Sequence, residues 1–409
     1  MTETTVAPFK NPFRPGAGHT PPFLAGRDEE RHVFSKLLEQ DVILENFVLT
    51  GLRGVGKTVL ADEMKPMAQA KGWIVVGSDL SETVSVSEEN FATRILADLS
   101  VFTAQITVAT RQVPKIGFIG EAEHEEIKLN YAVLWSIYEN TPGLTSDRLE
   151  AVLMTVFNAL PEGKKRILFV YDEAQNLSDN APKDQYPLSV MLDVFQRIQK
   201  KGVPFMLMLV GLPTLFPKLV DARTFAERMF RVVFLERLSD DDARAAITKP
   251  LDDADCPVRP TPESVQAMCA MSGGYPYFLQ FIGRELFDVW IVDPSATIPA
   301  EDIYNKLDSD FFSGRWERAT DRQRDLLLVI ASLETCDAEF TVQEIVVKSA
   351  SLKDPFKSSN VNQMLSVLIA KGLIFKNRYG KYSLSVPLLD RFIRRQPAYE
   401  SFLVKLEPA

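Results

Sequence analysis

An eight-residue run, Gly51–Thr58, has the residue types and the spacing of a phosphate-binding loop. It reads Gly-Leu-Arg-Gly-Val-Gly-Lys-Thr and lies between an apolar segment, Asn46–Thr50, and a helical pattern, Lys57–Lys71. Glycines let the backbone curl so that several N–H groups face one anion, and the following helix adds the positive end of its dipole. This context favours a nucleoside triphosphate site over a plain glycine turn. The expected nucleotide ligands are Gly51, Leu52, Arg53, Gly54, Val55, Gly56, Lys57, Thr58 and Val59.

Two carboxylates follow a second apolar segment. Arg166–Tyr171 is succeeded by Asp172 and Glu173, which predicts a buried parallel strand with acids at its carboxyl end, where such sheets bind ligands. We expect Asp172 and the Thr58 hydroxyl to hold Mg²⁺, and Glu173 to polarise the attacking water. An ordinary acidic start of a loop is the alternative. The phosphate loop upstream favours hydrolysis.

Composition limits the classes of protein that the chain can represent. With 409 residues, 46% hydrophobic and 25% charged, it has the size of two or three globular domains. No apolar run is as long as a membrane span, and the first residues lack the pattern of a secretory signal. Three distant cysteines and three histidines show no metal spacing. We therefore expect a cytoplasmic protein with reduced thiols and no membrane partner.

Four stretches of different pattern divide the chain. We expect an extended proline-rich arm at 1–22, a nucleotide-binding α/β domain at 23–236, a helical domain at 237–318 and a C-terminal domain at 319–409. Alternating strands and helices in the second stretch predict a parallel sheet covered on both faces. The predicted strands are Asn46–Thr50, Trp73–Asp79, Arg166–Asp172, Pro204–Val210 and Arg231–Leu235. Residues 103–145 are predicted to hold a β-hairpin insertion, with strands at Ile116–Gly120 and Ile127–Tyr131.

The C-terminal stretch has the pattern of a winged helix, with three helical segments and then two short strands around a glycine turn. Polar amides on the third helix suit base edges, and nearby cations suit phosphates. The residues expected at double-stranded DNA are Lys357, Asn360, Asn362, Gln363, Lys376, Arg378 and Lys381. Residues 320–396 carry twelve Lys/Arg and eight Asp/Glu, hence +4, within a chain of net charge −9. Because +4 is modest, a winged helix that binds a protein client or another copy of the chain fits as well.

In the order of its features the chain resembles the AAA+ ATPases, in the branch of the origin-recognition-like and STAND-type ATPases. The resemblance covers residues 8–395. The segments that carry it are Phe23–Glu30, Gly51–Thr58, Phe169–Gln175, Val210–Thr214, Glu227–Arg231, Ser272–Gln280 and the winged helix. It implies ATP, rather than GTP, as the nucleotide.

The resemblance also implies roles for single residues. The adenine would lie near Phe23, Leu24, Gly26 and Arg27, and Pro276 would touch the nucleotide. Thr214 matches the position that senses the γ-phosphate. Arg228 or Arg231 matches the arginine that a neighbouring subunit offers to the transition state, which implies a homo-oligomer; a structural ion pair is the alternative. The segment Gly273–Pro276 lacks the arginine often found there in origin-type members, which favours a nucleotide switch over a ring motor.

Three hypotheses of function follow. The first is an ATP-hydrolysing switch in which ATP lies between the sheet domain and a helical lid, and the lid reports ATP or ADP to the winged helix. The second is a DNA-binding regulator or loader that uses ATP mainly as a structural ligand. The third is a signalling or defence ATPase whose winged helix binds a partner protein.

Overall fold

The computed structural model describes residues 9–16, 18–113, 123–253, 256–293, 298–378 and 380–406. The chain packs into two compact units. The first, called the sheet unit here, comprises Asp28–Thr50 and Leu60–Phe234. The second, called the helical unit, comprises Met1–Arg27, Gly51–Val59 and Leu235–Ala409. The phosphate loop therefore packs with the helical unit, although it follows a strand of the sheet.

The sheet unit is built on a sheet that has five strands among the described residues, in the order β2-β5-β6-β1-β7. The strands in this part of the chain are β1 Asn46–Gly51, β2 Ile74–Val76, β3 Thr107–Val113, β4 Glu123–Lys128, β5 Ile167–Tyr171, β6 Phe205–Gly211 and β7 Phe230–Leu235. The pairs β2–β5, β5–β6 and β6–β1 are parallel. The predicted fold class, an α/β core with a parallel sheet, is confirmed.

Helices surround this sheet along the chain. They are α1 Asp28–Leu37, α2 Lys57–Ala70, α3 Glu88–Thr103, α4 Tyr131–Asn140, α5 Thr145–Ala159, α6 Pro187–Lys200, α7 Leu215–Ala222 and α8 Ala226–Met229. Strand β5 is buried at every position, and the rings of Phe169 and Phe195 meet edge to face at 5.0 Å. Burial on both faces explains why β5 is a continuous apolar run instead of an alternating one.

The register of the strands brings three strand ends to one edge of the sheet. Thr50 of β1 pairs with Gly211 of β6, and Tyr171 of β5 pairs with Leu209 of β6. Parallel strands have their carboxyl ends on the same side, so β1, β5 and β6 end together. Asp172 follows directly after β5 at this edge.

The insertion at 103–145 contains an antiparallel pair, β3 and β4. The predicted strand Ile116–Gly120 lies outside the described residues. The predicted strand Ile127–Tyr131 is wrong in its bounds, because β4 ends at Lys128 and Tyr131 already begins α4. The reason is a helix cap, since the Asn130 side chain accepts the N–H of Val133 at 3.1 Å.

The helical unit carries the remaining elements. Its helices are α9 Asp240–Thr248, α10 Pro262–Ser272, α11 Pro276–Val292, α12 Ala300–Leu307, α13 Gly314–Trp316, α14 Asp321–Ala331, α15 Val342–Lys348, α16 Ser358–Ala370, α17 Leu389–Arg394 and α18 Pro397–Leu406, and its strands are β8 Ile374–Arg378 and β9 Lys381–Leu384. A π-helical segment, Asp308–Ser313, joins α12 to α13. One cluster of buried side chains extends from Phe13 to Leu406, so helices α9 to α12 and the C-terminal elements share a core.

The N-terminal arm lies along α11. The Phe13 ring is 3% exposed, and a Cβ built on Gly283 would be only 2.5 Å from it. On either side of Phe13, the Asn11 side chain donates to the Arg284 carbonyl at 3.0 Å and the Arg14 N–H donates to the Gln280 side chain at 2.9 Å. The missing side chain at Gly283 therefore leaves the space in which the Phe13 ring of the arm packs against α11.

We expect Phe13→Ala to lower the free energy of unfolding by about 3 kcal/mol, because it leaves a cavity in the shared core. Gly283→Ala should cost about 1–3 kcal/mol by crowding the ring. In the double variant the alanine at position 283 no longer meets a phenylalanine ring. Its loss in free energy of unfolding should therefore be smaller than the sum of the losses of the two single variants. Denaturant unfolding measures all three. Phe9→Ala serves as the control, because its loss in free energy of unfolding should simply add to that of Gly283→Ala. If the losses of Phe13→Ala and Gly283→Ala also added, the contact between the Phe13 ring and Gly283 would be contradicted.

Among the described residues, no helix is long and apolar enough to span a membrane. The three cysteines, Cys256, Cys269 and Cys336, form no disulfide.

Candidate nucleotide-binding site

The phosphate loop runs from the end of β1 to the start of α2 and has a backbone that only glycine adopts readily. Gly54 and Gly56 have φ of +79° and +92°. No heavy atom lies within 4 Å of a Cβ built on Gly56, so the backbone angle, and not crowding, requires glycine there. The Lys57 ammonium donates to the carbonyls of Gly51 at 3.0 Å and Leu52 at 2.9 Å. The loop thus curls around its lysine.

Arg27 braces this loop from its own unit. Its Nη2 donates to the Val55 carbonyl at 3.2 Å and to the Glu236 carbonyl at 2.7 Å. Gly26 and Arg27 both have positive φ, which turns the chain at this point. The sequence placed Arg27 near the adenine; the structure places its guanidinium on the loop backbone. Phe23 of the same segment is exposed and Leu24 is half-buried.

The first turn of α11 touches the phosphate loop. The Tyr277 N–H donates to the Gly54 carbonyl at 3.1 Å, and a Cβ on Gly54 would be 3.0 Å from that of Tyr277. Pro276 lies in the first turn of α11, where a missing N–H has no cost. The helical segment that the sequence predicted as a lid is therefore in direct contact with the loop.

The acidic end of β5 belongs to the sheet unit. Glu173 has φ of +51°, a left-handed conformation that is strained for glutamate. Its N–H donates to the Asp172 carboxylate at 2.6 Å, and the Asp172 carbonyl accepts the N–H of Leu80 at 2.9 Å. The backbone therefore turns directly after the strand, and its N–H at Glu173 holds the Asp172 carboxylate.

Gln175 is a site residue that the sequence did not single out. Its amide nitrogen donates to the Glu173 carboxylate, and its amide oxygen accepts the Leu212 N–H at 2.9 Å. Lys218 donates to its carbonyl, and burial lowers the pKa of that lysine. Gly211 leaves room for the amide, because a Cβ there would be 2.6 Å from its oxygen. Gln175 therefore links the acid to the segment after β6.

We expect Gln175→Met to lower the rate of ATP turnover about tenfold, since the glutamate loses the hydrogen bond that orients it. Affinity for ATP should change less than about twofold, because the side chain acts through Glu173. Steady-state kinetics separate the two quantities. Gln69→Met, at an exposed position of α2, is the control. Equal losses in both variants would contradict this positioning role.

The other residues expected at the nucleotide have different surroundings. Arg231 forms an ion pair with Glu45 at 3.1 Å, which is the structural alternative considered for it. Arg228 is exposed on α8, and Thr214 is half-buried at the start of α7, where its side chain caps no N–H. The role of Arg228 across a subunit contact stays a prediction.

The residues present fit a nucleotide with Mg²⁺. The loop offers backbone N–H groups, the Lys57 ammonium and the start of a 14-residue helix to phosphate oxygens. The structure shows no cluster of three or more metal-binding side chains among the residues that it describes. Mg²⁺ at phosphates needs no such cluster, since it takes one or two protein oxygens and completes its shell with phosphate and water. The hydroxyl of Thr58, in the loop, is an oxygen of this kind.

The C-terminal elements form three helices followed by an antiparallel pair, β8 and β9. Helix α16 buries Val361, Leu365 and Leu368 and exposes the amides expected at DNA, Asn360, Asn362 and Gln363. The cations expected beside it are an exposed Lys357, an exposed Lys376 and a half-buried Lys381; only the backbone of Arg378 is described.

A phosphate loop between β1 and α2, parallel strands ending at one edge and a helical region after the sheet define the fold of the P-loop AAA+ ATPases. Among solved structures, a Walker-type ATPase of Pyrococcus abyssi is similar, with 14% identity, 91% of this chain and 96% of that chain covered, and a TM-score of 0.57. The ORC2 protein of Aeropyrum pernix, in ADPNP-ADP complexes, has 13% identity, 96% of each chain covered and a TM-score of 0.51. At this identity the likeness concerns the fold.

Residues 309–393 match a family described as a domain of unknown function, DUF8462. No curated protein matches the chain significantly.

Proposed function

We propose that the protein is an ATP-binding and ATP-hydrolysing switch. The observation that carries this proposal is the curled loop around Lys57, which is in contact with the first turn of α11 through Tyr277 and Gly54. A nucleotide held by this loop changes the surroundings of the helix that touches it. The ADPNP-ADP complexes of the similar ORC2 protein support a nucleotide as the ligand.

The residues of the loop bind the phosphates, and the residues after β5 activate the attacking water. Lys57 and the loop N–H groups neutralise and orient the phosphates. Arg27 stabilises the loop backbone by its hydrogen bond to the Val55 carbonyl. Thr58 and Asp172 would hold Mg²⁺, which would supply positive charge to the phosphate oxygens when bound. Glu173 accepts the proton of the attacking water, while Gln175 fixes the direction of its carboxylate.

A continuous path of aromatic rings leads from the loop to the C-terminal elements. Tyr277, whose N–H donates to Gly54, packs against Phe311 at 5.3 Å between ring centroids. Phe311 meets Phe312 at 5.0 Å, and Phe312 stacks on Phe392 of α17 at 5.2 Å. Phe311 and Phe312 lie in the π-helical segment. Because close-packed cores transmit small shifts, this path supports coupling between the nucleotide and a C-terminal winged helix.

We infer that the winged helix binds double-stranded DNA through α16 and the β8–β9 turn. Neutralising Lys376, Arg378 and Lys381 should lower the slope of log affinity against log salt by about one for each cation that contacts a phosphate. The exposed lysines Lys353 and Lys405, in the same module, provide control substitutions. A titration of duplex DNA at several salt concentrations measures the slopes.

The same titration with ATP or ADP present tests the switch. We expect the two nucleotides to give different DNA affinities. If the wild-type chain does not bind DNA at low salt, the nucleic-acid role is wrong. The absence of any charged residue from α16 then favours a protein partner for this helix.

A further inference from the structure

Three arginines of the helical unit belong either to the phosphate loop or to the segment that the loop contacts through Tyr277 and Phe311. Arg53 belongs to the loop, Arg315 to α13, and Arg318 follows α13; Arg315 is half-buried and the other two are exposed. Burial and then the charges of Arg53 and Arg318 lower the pKa of Arg315. Within the part of the chain that the structure describes, none of the three forms an ion pair with a carboxylate. Like charges gathered in this way repel one another until an anion joins them.

The position of Arg315 is fixed by contacts that lead back to the loop. Its guanidinium carbon lies 4.3 Å from the centre of the Phe311 ring, and its Nη1 donates to the Phe311 carbonyl. Phe311 packs on Tyr277, whose N–H donates to the Gly54 carbonyl. The π-helical turn that carries Phe311 is a conformation often found at functional sites.

The nearest acids in sequence do not neutralise this cluster. Asp310 is exposed and its carboxylate accepts the Ser309 hydroxyl at 3.2 Å, and its charge raises the pKa of Tyr277, after the larger effect of burial. Glu317 is exposed as well. A cation stacked on an aromatic ring and surrounded by two other cations suits a doubly charged ligand such as a phosphate group.

We propose that Arg53, Arg315 and Arg318 form an anion site that takes a phosphate group. The terminal phosphate of a nucleotide held by the loop and a backbone phosphate of a nucleic acid share this chemistry. A nucleotide as the source of this phosphate rests on the proposed function and adds a second group of residues that contact the phosphates. The site is then a second reader of the phosphates, on the segment that leads to the C-terminal elements.

The test removes the charge of Arg315 and keeps its stem. Arg315→Met, Arg315→Lys and the wild type are titrated with ADP, with a slowly hydrolysed ATP analogue and with duplex DNA at several salt concentrations. The control is Arg324→Met, since Arg324 also lies over a ring, that of Trp316, but pairs with Asp321. We expect Arg315→Met to weaken binding of the ATP analogue about tenfold relative to ADP, because one charge-assisted contact is lost. Arg315→Lys should restore most of the preference.

The outcomes separate the two sources and the two proposals. A constant ATP-to-ADP ratio with a DNA salt slope lowered by about one assigns the phosphate to nucleic acid. If neither ratio nor slope changes in Arg315→Met, the anion site is wrong, while nucleotide binding by the wild type stands. If the wild type binds neither nucleotide, the proposed function is wrong, and the DNA titration alone decides on the arginine site.

Discussion

Replacing Lys57 by alanine should weaken ATP binding about 100-fold. The ammonium donates to the loop carbonyls of Gly51 and Leu52, so it lies within the curl of the loop that is expected to face the phosphates. Loss of two charge-assisted hydrogen bonds to phosphate oxygens accounts for an effect of this size. Calorimetric titration of the variant with ATP and Mg²⁺ measures it.

Lys65→Ala is the matched control for this change. Lys65 lies on the same helix, two turns further on, and pairs with Asp62 at the surface, where both side chains are about two-fifths exposed. We expect its ATP affinity to equal that of the wild type. A Lys57→Ala protein that binds ATP as well as Lys65→Ala does would show that the loop is only a turn between strand and helix.

Replacing Glu173 by glutamine should reduce ATP turnover by about 10²–10⁴, because a general base contributes that much to the rate. Binding of ATP should stay within about threefold of the wild type, since the amide preserves size and leaves the loop untouched. Single-turnover kinetics with radiolabelled ATP distinguish the chemical step from binding.

Glu162→Gln provides the comparison for Glu173→Gln. Glu162 is largely exposed and pairs with Lys165 just before β5. Its turnover should equal that of the wild type. Turnover at the wild-type rate in Glu173→Gln would mean that another group accepts the proton of water.

Features that depend on neighbouring residues could be predicted from the sequence. The phosphate loop is defined by glycines two and three positions apart and by the strand and helix on either side, all of which are local. Strand β5 was predictable because burial on both faces leaves a plain apolar run. The predicted strand Arg231–Leu235 is confirmed within β7, Phe230–Leu235, because most of its residues are apolar or β-branched, although its middle positions are partly exposed.

Features that depend on distant residues could not be predicted. Arg27 reaches Val55 and Glu236, which are 28 and 209 positions away, so no spacing in the sequence reveals the brace. Gln175 acquires its role only when β6 lies beside β5. The cluster of Arg53, Arg315 and Arg318 requires a π-helical turn, for which the sequence carries no signal. The predicted end of strand Ile127–Tyr131 was wrong because the Asn130 side chain caps a helix within a pattern that also fits a strand.

The proposal as a whole depends on the affinity of the wild-type chain for a nucleotide. Titration with ATP in the presence and absence of Mg²⁺ measures it most directly. We predict saturable binding that is stronger with Mg²⁺ and is lost in Lys57→Ala. Absence of magnesium-dependent binding of ATP by the wild type would contradict the assignment of the loop and of the two acids at the end of β5.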